Sequence, residues 1–135
     1  MINKKIILAS VATIISMGIG ISIFQSISTQ QKYDDLISLD GTFYPNKKIV
    51  LITFSDKTQK TTNVVLEILG MEKSFQRTFN EHEFTLMVPF DHEPQYGWKV
   101  VPITLVLEHP DFGKIGVKTD IHEIGQSSRL IFTQL

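Results

Sequence analysis

The stretch that decides the fold is FTLMVPF, residues Phe84–Phe90. Phe84, Leu86, Val88 and Phe90 share one parity, and Thr85, Met87 and Pro89 share the other. Successive side chains of a strand point to opposite faces, so this alternation predicts a strand with one buried and one wetter side. Pro89 has no amide to donate to a ladder, which places it at an edge or near the strand end.

Outward from this segment, short runs rich in Val, Ile, Thr and Phe recur between turn residues, the pattern of successive strands. On the N-terminal side these are KIVLITF (Lys48–Phe54, closed by Ser55-Asp56-Lys57), NVVLEIL (Asn63–Leu69, closed by Gly70) and KSFQRTF (Lys73–Phe79, a weakly alternating edge candidate). On the C-terminal side DHEPQYG (Asp91–Gly97) reads as a loop, and WKVVPITLVLEH (Trp98–His109) as a long strand with Val101, Ile103, Leu105 and Leu107 inward. Pro102 inside it predicts a bulge, an edge or a switch between sheets. Pro110-Asp111-Phe112-Gly113 is a turn. Lys114–Ile124 then sets Ile115, Val117, Thr119 and Ile121 against Gly116, Lys118, Asp120 and His122. A last strand, Arg129–Leu135, is apolar to the chain end and is expected to be paired and buried. The sum is an all-β domain over residues 41–135: a seven-stranded antiparallel sandwich of immunoglobulin or fibronectin type, with a small barrel as the alternative.

The chain before this domain is of different material. Ile6–Phe24 has 19 residues without a charge or a proline. As a helix it spans roughly 28 Å, close to the ~30 Å hydrocarbon core of a bilayer. Lys4 and Lys5 stand directly before it, so the positive-inside rule keeps residues 1–5 cytoplasmic and sends the rest outward. The run exceeds the ~7–15 residues of a signal-peptide core, so it reads as a retained single-pass anchor in the cytoplasmic membrane. Cleavage at the small-x-small triplet Ser26-Ile27-Ser28 would instead release a secreted domain. Residues 25–40 read as a linker or stalk, within which Tyr33–Asp40 is either a short helical turn or the lead into the first strand.

The chain has 135 residues and no cysteine. A single domain of ordinary size fits that length. Disulfides, thiolate metal sites and thiol catalysis are excluded. With 13 basic and 14 acidic residues the chain lacks the positive surface of a nucleic-acid binder.

Chemistry-bearing residues are few. Each histidine has an acidic neighbour: His82 between Glu81 and Glu83, His92 between Asp91 and Glu93, His109 beside Glu108, and His122 beside Glu123. Imidazole and carboxylate together ligate zinc or copper. No pair has the HxH or HxxxH spacing that sets two ligands on one face, so solvated histidines at strand ends are the plainer reading. Asp111-Phe112-Gly113 matches the kinase metal-binding triplet without the rest of that machinery. There is no G-x-S-x-G elbow and no glycine-rich phosphate loop. Tyr96 and Phe112, in two loops, are candidates to offer aromatic faces to a partner, because rings give large contact area at low entropic cost. Trp98 opens a strongly apolar run and reads as a core anchor.

The segments VVLEILGMEKSFQRTF and YGWKVVPITLVLEHPDFGKIGVKTDIHE, within Thr61–Glu123, resemble small, uncharacterised, membrane-anchored β-sandwich proteins of ammonia-oxidising archaea. The resemblance implies that the domain faces the pseudoperiplasmic side, beneath an S-layer. Those proteins carry no assigned activity, so no site residue and no cofactor follows from it. The expected function is a binding or accessory module for a protein partner in a membrane or envelope complex, without catalysis of its own. Capture or delivery of copper or zinc by His82, His92, His109 and His122 is the alternative.

Overall fold

The alternation read at Phe84–Phe90 recurs in strand after strand of the computed structural model, which describes residues 33–135. After a helical turn at residues 33–36 come β1 (Ile37–Tyr44), β2 (Ile49–Asp56), β3 (Asn63–Ile68), β4 (Phe75–Phe79) and β5 (Glu83–Pro89). A 3-10 turn at Trp98–Val100 leads into β6 (Ile103–His109), β7 (Gly113–Thr119), β8 (His122–Glu123) and β9 (Ile131–Gln134). The proposed anchor Ile6–Phe24 and linker residues 25–32 lie outside the described residues. Among the described residues no helix is long and apolar enough to cross a membrane.

Two sheets face each other, in the orders β5-β2-β1-β8 and β4-β3-β6-β7-β9. No ladder joins them, so the domain is an all-β sandwich and not a barrel. Seven antiparallel strands were expected; nine are found among the described residues, and one pair, β1 with β8, runs parallel. The additional first strand is ISLDGTFY. Ile37, Leu39, Gly41 and Phe43 of this strand all face inward. Gly41 is needed there because a Cβ would overlap the side chain of Ile103 in the facing sheet. The folded unit therefore begins at Tyr33, and β1 runs across the expected stalk–domain boundary at residues 40 and 41. The additional strand β8 arises because Lys114–Ile124 breaks at Asp120-Ile121, where the chain leaves one sheet for the other. Pro102 acts as a stop: the segment from Trp98 coils into the 3-10 turn, and β6 starts at the next residue after the proline.

The core is the summed inward parity of both sheets. Val50, Ile52 and Phe54 meet Val64, Leu66, Ile103, Leu105, Leu107, Ile115 and Val117, all at most 2% exposed. The face read at residues 84–90 is correct in detail: Phe84 and Val88 are buried, while Thr85, Met87 and Pro89 are exposed. At one long side Phe79 of β4 stacks on Phe84 of β5 at 3.8 Å, which seals the gap between the sheets where the chain crosses. The C-terminal strand departs from expectation. β9 is an edge strand, paired with β7 alone, and Ile131 and Leu135 are exposed. Phe132, packed on Tyr33 at 5.5 Å, and Leu130 turn toward the core.

Candidate functional site

The two ends of the sandwich have different chemistry. One end holds the start of β1, the end of β2 and the end of β6. There the loop from β2 to β3 wraps around Asp56, whose carboxylate accepts five hydrogen bonds. Oδ1 takes the Thr58 amide (2.8 Å) and hydroxyl (2.7 Å). Oδ2 takes the Lys60 amide (3.2 Å) and the Thr61 amide (3.0 Å) and hydroxyl (2.7 Å). Burial alone would raise the Asp56 pKa. The hydroxyls of Thr61 and Thr58, then their amides, outweigh it and hold the carboxyl at about 2.

His109 reaches the same loop from the other sheet. Its Nδ1 accepts the Asp111 amide at 3.0 Å, which leaves Nε2 as the protonated nitrogen. Nε2 lies 2.7 Å from the Thr58 hydroxyl and 3.5 Å from Asp56, with both side chains fully buried. The order is therefore imidazole to hydroxyl to carboxylate. In a nucleophilic triad the imidazole must accept the hydroxyl proton; here it donates. The cluster ties the two sheets together, and the side chains of its acid and base are fully buried. Outside it, Lys60 pairs with Asp111 at 3.0 Å across an exposed surface, and Phe112 stacks on His109 at 4.1 Å.

The opposite end is formed by the β1–β2 turn, the β3–β4 connection, the long β5–β6 connection and the end of β8. Here apolar surface is left open. Leu69, Val100, Ile124 and Tyr96 are 41%, 43%, 61% and 79% exposed. Beneath them an aromatic row crosses the end: Phe43 to Trp98 at 4.9 Å and Trp98 to Phe90 at 5.8 Å. The Trp98 indole N–H is buried without a hydrogen-bond partner.

A cavity flanks each end of this row. An open groove of about 470 Å³ has Met71, Pro89, Phe90, Pro94 and Val101 as apolar lining, and Glu72, Lys73, Asp91 and His92 as polar lining. A smaller one of about 270 Å³ is lined by Phe43, Pro45, Glu123 and Ile124. Gly70, at φ +78°, lets the β3–β4 connection pass against the Val100 carbonyl, where any Cβ would overlap the oxygen. Apolar linings rimmed by charges of both signs suit an apolar side chain or a short extended segment.

The residues singled out from the sequence separate. Tyr96 stands at the apolar end, fully in solvent. Phe112 lies at the other end, partly buried on Tyr33 and His109. His92 and His122 belong to the apolar end. His109 and His82, whose carbonyl accepts the Asp56 amide at 2.9 Å, belong to the other. Among the described residues no group of three or more His, Asp and Glu is placed to hold a metal ion.

Two pairings escape the sequence altogether. His109 meets Thr58 and Asp56 across more than fifty residues. His122 meets Asp40 across 82 residues, and not its neighbour's carboxylate: its Nε2 lies 2.5 Å from Asp40 Oδ1, while its Nδ1 faces the Glu123 carbonyl at 2.8 Å. Burial disfavours the charged ring, but the Glu123 carbonyl and the Asp40 carboxylate outweigh it and raise the His122 pKa. No protein-family model matches the chain, and neither the curated proteins nor the solved structures give a match.

Proposed function

We propose that this chain is a membrane-anchored, extracytoplasmic binding module that engages a protein partner of a membrane or envelope complex through the apolar end of its sandwich. The observation that carries this reading is that exposed Leu69, Tyr96, Val100 and Ile124 stand in the connections at one end, where two cavities also open, one of them lined by Ile124. Contiguous exposed apolar surface rimmed by polar groups marks interaction sites, and aromatic rings supply much of the energy in such contacts. The densely hydrogen-bonded cluster at Asp56 and His109 acts as a cross-sheet tie.

The anchor rests on the charge-free run Ile6–Phe24 behind Lys4 and Lys5. The immunoglobulin or fibronectin assignment rests on topology. Within the two sheets the runs β5-β2-β1 and β4-β3-β6-β7 match the A-B-E and C′-C-F-G arrangement of such sandwiches, with β8 and β9 as extra edge pieces.

Site-specific photocrosslinking in the producing cells tests the reading. A benzophenone side chain is placed at Tyr96 or Val100, and at Lys118 on the outer face of the larger sheet as the control. A discrete adduct from residues 96 and 100 but not from 118 is expected. Equal labelling from all three positions, or none, would refute it.

A further inference from the structure

We propose that the Asp40–His122 pair is a proton-operated latch that holds β8 against β1 and thereby builds one wall of the smaller cavity at the apolar end. The geometry fixes the protonation state. His122 Nδ1 faces the Glu123 main-chain carbonyl and Nε2 faces Asp40 Oδ1. A carbonyl and a carboxylate only accept, so both ring nitrogens must carry a proton. The Thr42 hydroxyl cannot relieve this: its single proton goes to Asp40 Oδ2 at 2.7 Å, and it stands 3.5 Å from Nε2.

Loss of one ring proton therefore sets a lone pair against an acceptor at one of the two contacts. The ladder that depends on them is minimal. β8 has two residues, and its only pairings are Thr42 with His122 and Phe43 with Glu123. Glu123 and the following Ile124 face Phe43 and Pro45 across the cavity. When β8 leaves β1, that wall leaves with it.

The groups around the ring are named readily. From β1 they are Asp40, whose side chain is 44% exposed, and Thr42. From its own strand it is the Glu123 carbonyl, with the Glu123 carboxylate at the cavity. Asp120, two residues earlier, is the other carboxylate on this connection. Of these only Thr42 carries a donor hydrogen, and that hydrogen is engaged with Asp40 Oδ2 while the hydroxyl stands 3.5 Å from Nε2. His122 itself is 8% exposed at its side chain, so water does not readily take over the contact.

The sign follows from linkage. The His122 pKa is raised in the folded state, so the latch is fully closed below the ordinary histidine value and is lost as pH rises through the folded value. Loss of β8 protection should reach roughly tenfold for each pH unit by which His122 titrates above a free histidine.

The test uses the full-length chain with carbon-13-labelled histidine. Ring titrations and backbone amide exchange are followed by NMR from pH 5 to pH 8.5. A blocked histidine peptide in the same buffer serves as the reference. His122 is expected to titrate above that peptide, and protection at β8 to fall along the His122 curve after correction for intrinsic exchange. Asp40→Asn should lower the His122 titration and leave β8 weakly protected throughout. H122Q should make β8 protection independent of pH. Protection at β8 that stays constant while His122 loses its proton would overturn the latch, and so would a His122 titration at or below that of the blocked peptide. These outcomes are independent of any partner, so the latch and the crosslinking reading stand or fall separately.

Discussion

The Asp56 carboxylate offers the sharpest test of what holds the two sheets together. Asp56→Asn keeps the shape and one carbonyl oxygen but replaces the other oxygen with an amide NH2. If the retained oxygen serves Thr58, the NH2 faces the backbone amides of Lys60 and Thr61, now donor against donor. Each buried group left unsatisfied costs about 1–3 kcal/mol, so a loss of about 3 kcal/mol at pH 7 is expected. That is a large share of the ~5–15 kcal/mol total of an ordinary domain.

The same residue makes a separate prediction in acid. Its pKa falls from 3.8 to about 2 on folding, which corresponds to roughly 2 kcal/mol. Because the folded value is depressed, this contribution is present above pH 4 and is mostly gone by pH 2. Urea unfolding from pH 7 down to pH 2, read by Trp98 fluorescence, should therefore show the gap between wild type and D56N narrowing as the solution is acidified. A D56N loss under ~0.5 kcal/mol at pH 7, or a gap that stays constant from pH 5 to pH 2, would refute the assigned role of the carboxylate.

Three further outcomes follow from the packing. Leu66→Ala, at a fully buried position of β3, should cost about 2–5 kcal/mol in the same unfolding assay. Gly70→Ala should cost more than ~1 kcal/mol, because its positive φ and the Val100 carbonyl leave no room for a Cβ; a neutral result would mean that the β3–β4 connection is not held against the 3-10 turn. Tyr96→Ala should leave the unfolding midpoint within ~0.5 kcal/mol of wild type while abolishing the adduct formed from position 100, and an undiminished adduct would remove Tyr96 from the binding surface.

Legibility in the sequence tracked the reach of each interaction. The inward rows of β5, β6 and β7 were readable because alternation is a property of neighbours, and Phe84, Leu105 and Val117 need no distant partner to declare a side. β1 was not readable, because the reason for Gly41 lies in Ile103 of the facing sheet. The C-terminal strand misled for the opposite cause: Leu130, Ile131, Phe132 and Leu135 look like a core strand, but the sheet ends at β9 and half of that apolar surface faces out. The candidate site divides in the same way. Tyr96 could be picked as an exposed ring from its loop composition. The histidines could not be placed, since adjacency to Glu108 or Glu123 carries no information about Thr58, Asp56 or Asp40. Phe112, read as a free loop ring, is tied down by Tyr33 and His109, contacts that the fold alone creates.

The chain has a single tryptophan, and its place gives the molecule a built-in optical probe. Trp98 sits between Phe43, which lines one cavity, and Phe90, which lines the other. Its indole N–H is buried with no protein hydrogen-bond partner, so its emission is expected to shift to the red when the apolar end is opened to solvent. A red shift without global unfolding would report disturbance of the apolar end alone, and the same signal at the unfolding midpoint would report the whole sandwich. Occupancy, latch opening and stability can thus be followed in one unlabelled sample.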